Sequence, residues 1–165
     1  MWDRVAVDSV AFARDASEIR GAVAIAGLPR LHDLLYDQSS EISYSLTGAL
    51  NKDGIASLRL GIAAELLMTC QRCLGPVNFS LKSVRNFELV PAAQELGDPA
   101  EESGDIERIH ADAKLDVTAL VEDEAILCLP MVAGHQPGEC SSPVVVEGES
   151  ENKSPFSSLA MLKRQ

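Results

Sequence analysis

Between Ile42 and Leu89 the chain alternates hydrophobic and polar residues with a period of two, the spacing of strands that bury one face. Ile42, Tyr44, Leu46, Gly48 and Leu50 make the first run, residues 51–54 (Asn-Lys-Asp-Gly) supply a turn, and Ala56, Leu58, Leu60, Ile62, Ala64, Leu66 and Met68 share a face on the way back. Two such runs joined by a short Gly-containing link predict a hairpin. With no bulge, the same parity carries Cys70 inward. Gly75 and Pro76 mark a second reversal, and Val77, Phe79 and Leu81 open a third strand that continues through Phe87 and Leu89.

Outside this meander the signals are shorter. Asp8 or Ser9 caps a turn bearing Val10 and Phe12, residues 20–26 read as a buried strand, and Pro29 starts a helical turn striped by Leu31, Leu34 and Leu35. Residues 91–105 are acidic, rich in Pro and Gly, and have little to bury, so they predict a mobile loop. Residues 106–111 suit a short edge strand. Asp116 then caps a helix to about Leu129, where Pro130 stops it. After Cys140 the chain turns acidic and ends in residues 155–164, which suit a short helix with an apolar Phe156–Leu159–Leu162 stripe. The expected fold class is α+β: an antiparallel β meander, open or partly closed into a barrel, packed by a few helices. Residues 1–141 are expected to form one domain, and 142–165 an acidic linker with the terminal helix.

Composition narrows the function. Hydrophobic residues make up 46% of the 165 and aromatics only 4%, so the core must rest on Leu, Val, Ile and Ala. With 25 acidic against 14 basic residues the net charge is −11, which opposes phosphate backbones and favours a basic protein partner. Residues 1–8 lack the order of an export signal, and no apolar run reaches the ~18 residues of a membrane span. The expectation is a cytoplasmic protein whose four cysteines stay reduced.

Those cysteines carry the candidate chemistry. Cys70 and Cys73 form a C-x2-C bend, and His135 and Cys140 an H-x4-C pair. Thiolates and an imidazole suit tetrahedral zinc, and a tight C-x2-C turn aims both sulfurs one way. The same residues also read as two turn cysteines, a loop histidine and a stray thiol. A redox role fits less well, because redox C-x2-C pairs sit at a helix N-terminus and this one lies between strands. Phosphate-cradling loops, nucleophile elbows and acid/base pairs are missing from the sequence, so an enzyme is not expected.

A second constellation lies on the predicted helix. Val117, Leu120, Val121, Glu124, Cys128 and Met131 fall on one arc, which buries Glu124 and turns Glu122 and Asp123 away. A buried carboxylate needs a partner, and Arg72, between the two knuckle cysteines, is the candidate for a bidentate clamp. A slightly rotated helix with Glu124 at its rim is the alternative.

In order along the chain, residues 69–73 (Thr-Cys-Gln-Arg-Cys), 120–130 (Leu-Val-Glu-Asp-Glu-Ala-Ile-Leu-Cys-Leu-Pro), His135 to Cys140, and 154–163 resemble the YceD family, the large ribosomal RNA subunit accumulation proteins. The resemblance spans about residues 40–164. Cys128 stands where that family more usually has a small apolar residue, which marks this thiol as core packing. The resemblance implies a non-enzymatic role in 23S rRNA synthesis, processing or accumulation, and so in large-subunit assembly. With the acidic charge, it implies a ribosomal protein or an assembly factor as partner, with the C-terminal stripe or the acidic loop as contact surface. The alternative is a small zinc-stabilised module touching rRNA directly.

Overall fold

The computed structural model of the chain describes residues 5–96 and 106–140. Its elements are β1 (Ala6–Val7), α1 (Ser9–Arg14), β2 (Glu18–Ala24), two 3-10 turns at Ile25–Gly27 and Pro29–Leu31, β3 (Glu41–Leu50), β4 (Ala56–Thr69), β5 (Pro76–Val90), β6 (Ile106–His110), β7 (Leu115–Asp116) and α2 (Val117–Cys128). A five-stranded sheet runs in the order β2-β3-β4-β5-β6, and β1 pairs with β7 in a separate two-stranded ribbon. The larger sheet is open, with β2 and β6 at its edges. This is the expected α+β class, and it resolves the choice between open sheet and barrel.

The alternation read from the sequence is the burial pattern found, except at Leu50, which is half exposed at the end of β3. Ile42, Tyr44 and Leu46 of β3, Leu58, Leu60, Ile62, Leu66 and Met68 of β4, and Leu81, Phe87 and Leu89 of β5 are buried on one face. The β4–β5 register runs unbroken from Ser57↔Glu88 to Thr69↔Pro76. No bulge flips the face, so Cys70 is fully buried as the parity predicted.

Helix α2 covers this face with Val117, Val121 and Ala125, all fully buried. Asp116 caps it, its carboxylate accepting from the Ala119 amide at 3.1 Å. Leu129, before Pro130, adopts extended backbone (φ −67°, ψ 139°) and ends the helix as expected. Asp8 caps α1 through the amides of Val10 (3.1 Å) and Ala11 (2.9 Å). Helix α1 then lies close over β3: a Cβ at Gly48 would stand 2.7 Å from the Ala13 Cα and overlap the Phe12 carbonyl.

Three expectations need correction. The buried strand expected over residues 20–26 is the edge strand β2, which ends at Ala24 and leaves Arg20, Gly21 and Ala22 exposed. The edge strand β6 pairs parallel to β5, Asn86↔Ile106 through Val90↔His110, so the meander ends in a mixed sheet. A parallel return needs a connection of about a dozen residues or more, and residues 91–105 provide one. At Pro29 the predicted helical stripe is only a 3-10 turn; Leu31 and Leu35 are buried while Leu34 is exposed. No helix among the described residues is long and apolar enough to cross a membrane. The acidic linker and the Phe156, Leu159 and Leu162 stripe lie outside the described residues.

Candidate metal centre

The β4–β5 bend gathers its polar groups locally. Cys70 N–H donates to the Gly75 carbonyl and Leu74 N–H to the Cys70 carbonyl, both at 2.9 Å, which turns the chain within residues 70–75. Leu74 closes the bend with φ 59°, a left-handed conformation unusual for a γ-branched side chain. The segment after α2 crosses this bend, with Gln71 N–H donating to the Ala133 carbonyl at 3.0 Å. Two parts of the chain far apart in sequence are thereby joined.

Their ligand atoms converge. The Cys70, Cys73 and Cys140 sulfurs and a His135 ring nitrogen all lie within 4.8 Å of one another, the one such convergence of metal-ligating groups found among the described residues. Cys70 Sγ is 3.8 Å from Cys140 Sγ, and His135 Nδ1 is 3.4 Å from Cys73 Sγ and 3.7 Å from Cys140 Sγ. All four cysteines are free thiols. Bond lengths of about 2.3 Å to sulfur and about 2.0–2.1 Å to nitrogen place tetrahedral zinc ligands about 3.8 Å (S–S) and about 3.6 Å (S–N) apart. The three separations match those edges.

The histidine is oriented for the task. Its Nε2 lies 2.9 Å from the Pro76 carbonyl, which only accepts, so Nε2 carries the proton and the Nδ1 lone pair faces the sulfurs. Backbone N–H groups of Cys73, Arg72 and His135 point at Cys70 and hold its thiol down to about 5 against burial. Cys140 is pushed up by burial, against the pull of the Arg72 guanidinium. Arg72 donates from Nε to Cys140 Sγ at 2.9 Å and from Nη2 to the carbonyls of His135 (3.0 Å) and Gln136 (3.3 Å).

The expected Arg72–Glu124 clamp is therefore not formed. Arg72 is spent on the Cys/His cluster. Glu124 is buried, only 2% exposed, and accepts instead from Ser83 Oγ at 2.6 Å and from Arg85 Nε at 3.2 Å and 3.3 Å. Cys128, one helical turn on, donates its S–H to the same carboxylate at 3.2 Å. It packs against the core and takes no part in the cluster, as expected. Glu122 does not turn away either: it is buried and accepts from the Arg30 amide at 2.8 Å, while exposed Asp123 pairs with the Arg30 guanidinium. Met131, placed on the buried arc, lies past the helix end and is fully exposed. Pro130 is exposed beside it.

Ser83, Arg85 and Arg30 were missed by sequence reasoning. Arg85 was findable, since it shares the odd-numbered parity of Leu81, Phe87 and Leu89 and must face the helix. Nothing in the sequence marked Arg30.

Fold and site together define a small α+β protein with an open mixed sheet, whose distinctive chemistry is a Cys3His cluster at one sheet end. The chain belongs to the family described as "Large ribosomal RNA subunit accumulation protein YceD", whose model matches residues 58–163. It is similar to the Large ribosomal RNA subunit accumulation protein YceD of Haemophilus influenzae, 25% identical over 172 residues, covering 96% of this chain and 95% of that protein. No solved structure matches it.

Proposed function

We propose that this chain promotes accumulation of the large-subunit ribosomal RNA, the 23S species, by binding a ribosomal protein or a large-subunit assembly factor in the cytoplasm, without catalysing a reaction. The observation that carries this reading is membership of the YceD family in a chain whose formal charge is −11. Such a charge opposes an RNA backbone and draws basic proteins, of which ribosomal proteins are a ready class. Residues 1–141 act as the binding body, and the contact surface is the acidic 91–105 loop or the Phe156–Leu159–Leu162 stripe of the 142–165 tail. Depletion should lower 23S rRNA relative to the small-subunit RNA, and affinity capture should recover large-subunit proteins or precursor particles after nuclease treatment. An unchanged RNA ratio on depletion refutes the role; capture that disappears with nuclease refutes the protein partner.

The ligand cluster favours a second reading, a zinc-stabilised module that touches rRNA directly. Three thiols and an oriented imidazole, with three of their separations at tetrahedral-edge length, are the donor set of a structural zinc site. Cys70, Cys73, His135 and Cys140 would hold the ion. Elemental analysis should then find about one zinc per chain and none in a Cys73→Ser variant. Direct RNA contact further requires an affinity that falls steeply with salt.

A further inference from the structure

We propose that a bound metal ion, rather than side-chain packing, fastens the 130–140 segment to the end of the sheet, with Arg72 as the positioning residue that balances the centre's charge. This rests on the zinc reading above and adds what the site does for the chain.

The segment has little else to hold it. Of residues 131–140 only Ala133 is buried. Met131 is fully exposed and Val132 is 72% exposed. Apart from contacts onto the ligand sulfurs, its polar ties are few: Gln71 N–H to the Ala133 carbonyl, His135 Nε2–H to the Pro76 carbonyl, and the Arg72 guanidinium to the His135 and Gln136 carbonyls. Every one of them lies at the β4–β5 bend or on its immediate flank. One buried alanine and a few half-exposed hydrogen bonds place a segment at the weak end of local stability. Two ligands, Cys70 and Cys73, sit on the rigid hairpin, and the other two, His135 and Cys140, ride on the weakly held strap. An ion that needs all four binds only the closed form, so it stabilises closure by mass action.

Charge fixes the part played by Arg72. Three thiolates and a neutral imidazole around a divalent soft cation leave one negative charge. Arg72 supplies the opposing positive charge at 2.9 Å from Cys140 Sγ while its other prong grips the strap backbone. One side chain therefore joins bend, ligand and strap. The ion class is a thiolate-loving divalent cation, zinc or its spectroscopic substitute cobalt. A strap released from the bend uncovers Met68, Val77 and Phe79, which line the cleft of about 140 Å³ beneath Pro130 and Val132.

Amide hydrogen exchange on the full chain, zinc-loaded and after chelation, tests this. At zinc about 100 times its dissociation constant, opening of the strap is suppressed by about 100-fold, so chelation should speed exchange at Gln71 and His135 by that factor. Leu46 and Leu60, in the sheet centre, should not change. Arg72→Leu should keep one ion per chain yet weaken it roughly 10–100-fold in chelator competition, as loss of an orienting neighbour does. Zinc bound at one per chain with no change in Gln71 and His135 exchange on removal overturns the fastening role and leaves the zinc site standing. No uptake of zinc or cobalt by the reduced protein overturns both.

Discussion

Replacing Glu124 with Gln isolates the contact that locks α2 to the sheet. The substitution keeps the volume and removes the charge beneath the helix. Four contacts depend on that charge: the Ser83 hydroxyl at 2.6 Å, Arg85 Nε at 3.2 Å and 3.3 Å to the two oxygens, and the Cys128 thiol at 3.2 Å. A hydrogen bond to a charged group contributes about 1.5–3 kcal/mol against about 0.5–1.5 for a neutral one. The new amide also sets one N–H2 donor against donors already pointing inward. Arg85 is 41% exposed, so water screens the ionic part and the low end of the range applies. A loss of about 2 kcal/mol follows, a fall in Tm of about 4–8 °C for a chain of this length. Urea denaturation of the single variants and of Glu124→Gln with Arg85→Gln should give a coupling of about 1 kcal/mol or more. Glu124→Gln and Arg72→Gln should add within about 0.5 kcal/mol, because the two residues share no partner. A larger coupling to Arg72 than to Arg85, or an unchanged midpoint for Glu124→Gln, refutes this account of the latch.

Three further outcomes follow from particular contacts. Gly48→Ala drives a methyl into the α1 backbone at Phe12 and Ala13 and should cost about 1–3 kcal/mol by thermal melt; a neutral substitution shows that α1 does not press on β3. Leu74→Gly relieves a left-handed backbone while losing a side chain that is 70% exposed, so stability should rise by up to about 1 kcal/mol, and a clear loss shows that the leucine packs. In metal-free protein the Cys70 thiol is held near 5 against an ordinary 9.0, chiefly by the Cys73 and Arg72 amides. The folded state then binds fewer protons than the unfolded one across that window, so this contribution is whole above about pH 9, declines as pH falls, and is gone below about pH 5. The stability difference between metal-free protein and Cys70→Ser should accordingly widen with rising pH; a difference independent of pH counts against a thiolate at this position.

The sheet was legible because its strands bury one face and leave the other wet, so period-two alternation fixed both the strands and the inward side of Cys70. The C-x2-C and H-x4-C spacings likewise named all four residues that converge. Direction at the edge was hidden, since residues 106–110 pair through backbone atoms that look the same parallel or antiparallel. The partner of Glu124 was legible in part. Helical spacing buried the carboxylate, but choosing its cation required comparing β5 parity with the pull of the knuckle on Arg72. A guanidinium within hydrogen-bonding reach of a sulfur and two carbonyls goes where the acceptors are densest, and no spacing rule weighs that. Arg30 reaches Glu122 and Asp123 from a 3-10 turn without periodicity, so it left no trace.

Cys70 and Cys140 are 70 positions apart, with the whole of β5, β6 and α2 between them. During synthesis at about 5–20 residues per second, roughly 4–14 s separate the emergence of the first thiol from that of the last. For most of that interval a nascent chain carries the Cys70–Cys73 pair without His135 and Cys140 to complete the cluster. The order of translation thus delivers the C-x2-C half of the cluster first and completes it only when residues 135–140 arrive.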